Sequence, residues 1–277
     1  MRTTQRKAFT LIELIFVIVV LGIVASIASE MIANIYKQYV VQRAQHRASI
    51  KTELAALEIA NRLSAAVPGT LVRKGTDSSG ATVTEDLTGS MTLSGGDYDT
   101  LQWVGADLDS FSTAATPGWS GFCDIDDSNE TNISTPGSNL NLANAVITNL
   151  NGGSLPSAWK PAVFFPDDDT DYSVSTPLSG DTIGLTGSGT RRIVEHYRLA
   201  WTSYALKVEN GDLYLYYGFD PKKGITIPSG TPKSLLLSNV GTFKFTATGN
   251  IIRFKICKSE QIGLDYNITS CKEKAVF

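Results

Sequence analysis

FTLIELIFVIVVLGIVASIA, residues 9–28, is apolar throughout except for the short polar side chains and a single charge, Glu13. At 1.5 Å of rise per residue it makes a helix of about 30 Å, the thickness of a bilayer's hydrocarbon core. A secretory signal carries an apolar region of only about 7–15 residues before a small-residue cleavage site, so this run is too long to be one. The preceding MRTTQRKA, residues 1–8, brings Arg2, Arg6 and Lys7. The positive-inside bias holds that basic end in the cytoplasm and carries everything after Ala28 across the membrane.

Glu13 is the feature that needs a reason. A carboxylate within an apolar span costs about 2.5–3.5 kcal/mol at mid-membrane on insertion scales. The pattern of a short basic leader, a small residue and then F-T-L-I-E-L resembles the amino terminus of type IV pilins and pseudopilins. In that family a prepilin peptidase cuts before the Phe and the new amine is methylated. The resemblance therefore implies cleavage between Ala8 and Phe9, N-methylation of Phe9 and an assembly role for Glu13. The new amine is a cation at membrane depth, and the Glu13 carboxylate of a neighbouring subunit neutralises it as helices stack. The chain departs from the family at the junction, where Ala8 stands in place of the usual Gly.

Beyond residue 28 no Pro occurs until Pro68. Apolar residues recur at Ile32, Ile35, Tyr36, Tyr39 and Val40, then at Ile50, Leu54, Leu57, Leu63 and Val67, in helical steps of three and four. Lys37, Arg43, Arg47, Lys51 and Arg62 fill the other face. The simplest reading is one helix over residues 9–67. Its first part, 9–28, lies in lipid, and its amphipathic part, 29–67, offers a stripe to a soluble domain. Glu30 occupies the place where many major pilins kink at a Pro, so no kink is predicted.

The 277 residues, 42% hydrophobic and 18% charged, with 24 Lys plus Arg against 27 Asp plus Glu, exclude a collagen, a coiled-coil rod and a charged disordered tail. The charges are sorted along the chain. Residues 75–190 carry sixteen acids and one base, Lys160, whereas residues 191–277 carry thirteen bases and seven acids. In 75–190, 68 of the 116 residues are Ser, Thr, Gly, Asn or Asp, a composition rich in turns and poor in groups to bury. Residues 68–190 accordingly read as an irregular, exposed insertion, with apolar patches at 101–104, 145–147 and 163–165 as anchoring strands or turns. Of two acidic clusters, Asp124, Asp126, Asp127 and Glu130, and Asp167, Asp168, Asp169 and Asp171, the second has carboxylates at alternate positions that could converge on calcium, but Tyr172 and Leu178 stand where an EF-hand has its Gly and Glu, and no metal site is assigned.

From Arg191 the hydrophobic period becomes two. Residues 197–201, 204–208 and 213–217 read as strands, the last two joined through Asn210 and Gly211; residues 234–237, 240–245 and 251–256 add more. Hairpin links imply an antiparallel sheet whose one face the helix covers, and hence an α+β fold. The order of a tyrosine-rich hairpin, an L-L-x-N-V-x-x-F element (236–243) and a final strand resembles the J-type minor pseudopilins and large minor pilins. Of Cys123, Cys257 and Cys271, the closest pair in sequence is favoured, so Cys257 and Cys271 close a loop after the last strand; bridges from Cys123 to either stay open.

The two histidines, His46 and His196, stand far apart in sequence, and no nucleophile elbow, phosphate loop or dinucleotide fingerprint occurs, so an enzyme and a cofactor are not expected. Asn129, Asn132 and Asn267 each open an Asn-x-Ser/Thr sequon, with Asp127, Glu130 and Asp265 two places before them, a pattern resembling the acceptor of bacterial oligosaccharyltransferases. The family resemblance implies a non-catalytic minor pilin or pseudopilin of a type IV pilus, a type II secretion system or a competence (DNA-uptake) machine. Its implied partners are other pilin subunits, the prepilin peptidase, the inner-membrane assembly platform and inner-membrane lipid, with the carboxy-terminal domain in the periplasm. The alternative is a DNA-binding or adhesive tip: Lys222, Lys223, Lys233, Lys244, Arg253, Lys255 and Lys258 beside Tyr214, Tyr216 and Phe219 would supply phosphate contacts and stacking surfaces. The acidic middle repels DNA, and the solvent faces of alternating strands account for those bases, so DNA is not the expected partner.

Overall fold

The computed structural model of the chain describes residues 10–277 except 95–96, 113–114, 167, 169, 188–191 and 263–265. The leader and the Ala8/Phe9 junction lie outside the described residues, as do Asp167, Asp169 and Asp265. Helix α1, Leu11–Ser64, runs 54 residues without a break. Thr10 opens it, its carbonyl accepting from the N–H groups of Glu13 (3.1 Å) and Leu14 (3.2 Å). The helix stops at Ser64, short of the predicted Val67, because sheet contacts compete for the next backbone groups. Ala66 bridges to Gly105, and the Val67 N–H donates to the Val104 carbonyl at 2.8 Å.

In chain order there follow β1 (Val72–Thr76), β2 (Thr82–Asp86), β3 (Tyr98–Ala106), α2 (Leu108–Phe111), β4 (Asp124–Asn129), β5 (Asn132–Ser134), α3 (Leu140–Leu150), β6 (Ala162–Phe164), β7 (Tyr172–Ser173) and β8 (Thr182–Gly184). The chain then gives β9 (Arg198–Glu209), β10 (Asp212–Phe219), β11 (Lys233–Leu237), β12 (Val240–Thr248), β13 (Ile251–Ile262) and β14 (Tyr266–Val276). The main sheet has the order β11-β10-β9-β3-β1-β2, with β6 joined to β9 and β7 to β6. A second sheet is β12-β13-β14 and a third is β4-β5-β8. Every strand pair is antiparallel. The fold is α+β, a long amino-terminal helix followed by antiparallel sheets.

One core joins three layers. Ile59 and Leu63 of α1, Leu101 and Trp103 of β3, Leu206 of β9, and Phe254 and Ile256 of β13 are all buried in it. The period-two strands thus present their apolar sides to the helix and to each other. Residues 197–201 and 204–208 belong largely to one strand, β9, in place of two. The β9–β10 link is the tight turn read from Asn-Gly: Asn210 has φ 52° and Gly211 φ 80°, the left-handed pair that such a hairpin requires.

The expectation of an irregular insertion over 68–190 is corrected. β3 sits between β9 and β1 in the main sheet, so the region supplies a central strand of the fold. It also supplies much of a second core, where Ile133, Leu140, Ile147, Val163 and Ile183 pack with Tyr197 and Leu199 from beyond residue 190. Residues 145–147 lie in α3, a helix capped by Asn139, whose side-chain oxygen accepts from the Leu142 N–H at 3.3 Å. Ser, Thr and Asn made this stretch look unstructured by composition, but they satisfy turns and caps around a sparse set of apolar anchors.

The carboxy terminus is corrected too. Strand β14, unread in the sequence, pairs with β13 along its length, and Cys257 faces Cys271 as a direct cross-strand partner. The two are joined by a disulfide. It staples two neighbouring strands and closes no terminal loop. Cys123 is free and buried, its Sγ 3.4 Å from Ser128 Oγ, and burial pushes its thiol pKa up.

Candidate functional site

Helix α1 is two surfaces in sequence. From Leu11 to Ile27 all the large apolar side chains are exposed, with Leu11 at 76% and Phe16 at 70%. A helix apolar on every side and unburied in its own chain is built for lipid or for other helices. It is long and apolar enough to cross a membrane. Glu13 lies in its first turn, where the unsatisfied backbone N–H groups and the helix dipole favour a carboxylate.

The face that docks onto the head is made mostly of small residues. Ala48, Thr52, Ala55, Ala56, Ile59 and Leu63 are buried, at helical spacing. Thr52 satisfies its hydroxyl within the helix by donating to the Ala48 carbonyl at 2.7 Å, so a polar residue is buried here without an orphaned group. Ion pairs fix the register against the second sheet. Glu53 meets Lys274 at 2.6 Å and Lys272 at 3.2 Å, and the Lys274 contact, then the Lys272 one, hold its pKa below the usual carboxylate range. On the other flank Arg62 pairs with Glu58 at 2.8 Å and lies over the Tyr204 ring.

The expected docking stripe is corrected in one respect. Leu63 and Val67 are buried, but Ile50, Leu54 and Leu57 face solvent at 46%, 61% and 42% exposure. They continue the outward line of Ile32, Ile35, Tyr36 and Tyr39, all exposed. Hydrophobicity alone picks the wrong face because the buried one is mostly Ala and Thr, which lets helix and sheet approach closely. The signal that would have found it is the small-residue spacing 48, 52, 55, 56.

The other assigned residues are dispersed. Asn129 and Asn132 are exposed at the β4–β5 turn, where Asn129 Oδ1 accepts from the Thr131 hydroxyl at 2.8 Å; Asn267 is exposed on β14. His46 and His196 are exposed and on different elements. Asp124 to Glu130 form most of a hairpin, Asp168 accepts from Tyr172 at 2.7 Å, and Asp171 pairs with Lys222 at 3.6 Å. Among the described residues no group of three or more His, Cys, Asp or Glu is placed to hold a metal.

The proposed stacking surface for DNA is taken apart. Lys223 pairs with Asp86 at 2.8 Å, and Lys233 pairs with Glu209 at 2.6 Å and covers Tyr214. Lys258 is buried on the Ser238 carbonyl, and Phe219 is buried. Of these bases, Lys244, Arg253 and Lys255 share one exposed face of the β12–β13 pair.

Residues 3–29 match the family model described as the prokaryotic N-terminal methylation motif, the type IV pilin-family signature. No curated protein and no solved structure matches the chain.

Proposed function

We propose that this chain, which carries the type IV pilin-family signature, is a non-catalytic minor pilin or pseudopilin. It is cut between Ala8 and Phe9, methylated on Phe9 and held in the inner membrane by residues 9–28 with its head in the periplasm. The observation that carries the reading is the match of residues 3–29 to the methylation motif together with an apolar helix half that its own head leaves uncovered. That half is the surface through which neighbouring subunits pack, and Glu13 is the group that meets a neighbour's amino terminus. The size of the head favours a filament tip or a short pseudopilus over a densely repeated shaft. Secretion, DNA uptake and pilus extension all fit such a subunit, and the ion pairs of Lys222, Lys223 and Lys233 with acids of the head, with Lys258 buried, speak against a DNA-binding tip.

Mass spectrometry of the protein extracted from a peptidase-positive host tests the reading. An amino-terminal methylated Phe9 supports it; recovery only of chains that begin at Met1 refutes it.

A further inference from the structure

We infer that the free edge of β12 takes an extended, acidic segment of another chain as an added strand. Among the described residues β12 is an outer strand of its sheet, paired with β13 alone. Its link to β13 is the two-residue turn at Gly249 and Asn250, with Gly249 at φ 57°, so Thr248 and Ile251 form the first hydrogen-bonded pair. Antiparallel alternation then turns the backbone N–H and C=O of Phe243, Phe245 and Ala247 outward. Among the described residues no hydrogen bond reaches these groups from outside the sheet. A row of unpaired backbone donors and acceptors is a template for strand addition.

The side chains along this edge define the occupant. A groove of about 400 Å³ runs beside it, floored by Phe243, Phe245, Tyr98 and Met91. Its rim carries Lys244, Arg253 and Lys255, all exposed. Lys244 stands directly across from Lys255, and Thr246 across from Arg253. Like charges directly opposite are destabilising, and among the described residues none of the three has an ion pair; Glu273, across from Lys255, is the only acid in the lining. Arg73, also in the groove, is buried and already bound to Glu85 and to the carbonyls of Leu87 and Gly89, so it adds no free charge. The fitting partner has carboxylates on one alternate face, over the Lys244–Lys255 side, and apolar side chains on the other, over Phe243 and Phe245. Such a residue pattern is a half-acidic β-strand. A nucleic acid offers the charge without the backbone ladder.

The test uses the full chain in detergent micelles and a fluorescent, capped peptide of alternating Glu and Val matching the nine residues of β12. In the added strand the Val residues lie opposite Phe243, Phe245 and Ala247, so their N–H groups face β12 and those of Glu face away. N-methylating the Val nitrogens should weaken binding about tenfold or more, and N-methylating the Glu nitrogens by no more than about threefold. Lys244→Glu with Lys255→Glu, both exposed and expected to fold, should weaken it about tenfold as well, and a Lys/Val peptide should not bind saturably. Absence of saturable binding, equal effects of the two N-methylation patterns, indifference to charge, or displacement of the peptide by single-stranded DNA at lower concentration than by unlabelled peptide would each overturn the proposal.

Discussion

Replacing Ile59 by Ala and, separately, Leu54 by Ala distinguishes the two faces of α1. Ile59 is 1% exposed in the core shared by helix and sheets, whereas Leu54 is 61% exposed. Ile59→Ala deletes three buried carbons, about 0.8 kcal/mol each, and the unfilled cavity raises the cost to about 3–4 kcal/mol. Leu54→Ala removes little buried area and should change stability by no more than about 0.5 kcal/mol. Urea unfolding of the full chain in mild detergent, followed by the emission of Trp103 and its companions, reads both. With a slope of about 2–3 kcal/mol per molar, Ile59→Ala should lower the midpoint by about 1 M or more and Leu54→Ala by no more than about 0.3 M. If Ile59→Ala shifts the midpoint as little as Leu54→Ala does, the helix is not part of the folding core and the docking face is misassigned. The same geometry condemns a fragment beginning at Pro68: it would strip Ala55, Ala56, Ile59 and Leu63 from that core.

The Glu13→Ala chain should insert in the membrane as well as the parent does, since a costly charge is removed, while filament incorporation falls; unchanged incorporation counts against pairing with a neighbour's amine. Cys257→Ser should lower stability by about 2–3 kcal/mol on the chain-entropy scale and leave the β13–β14 ladder in place, so thermal unfolding shifts downward while hydrogen exchange in the hairpin stays slow. Lys74 is buried and donates to the Ile225 carbonyl at 2.5 Å, and burial lowers its pKa to about 8. Between pH 8 and its unfolded value near 10.5 the unfolded chain holds a proton that the folded one has lost, so this group makes stability rise with pH across that window. Lys74→Met should abolish that part of the rise; an identical pH profile in the variant would refute the assignment.

How much of this was readable follows from the kind of signal each part carries. The helix from residue 11 onward was legible because nothing in it breaks until Pro68, and the β9–β10 hairpin because Asn210 and Gly211 name their turn. The central strand β3 was visible as an apolar patch at 101–104, but its place between β9 and β1 is set by pairings such as Gln102 with Ala205 and Val72 with Gln102, which local pattern does not carry. β14 escaped because TSCKEKA, residues 269–275, holds only small and charged residues and so shows no apolar alternation: Lys272 and Lys274, on its inward side, turn toward Glu53 of α1. The amino-terminal methylation motif was legible because its signal lies within one short stretch, residues 3–29. The free edge of β12 became visible only when the sheet order was known.

The cross-strand disulfide has a mechanical meaning. Any load applied along α1 enters the head where the helix lies against β13 and β14 and is clasped by Lys272 and Lys274. β14 is the last strand of the chain and an outer strand of its sheet, the element most easily peeled away by traction. The covalent tie from Cys271 to Cys257 passes the pull to β13, which is held on both sides, so the grip of the head on its shaft is shared across the whole small sheet and does not rest on one terminal ribbon.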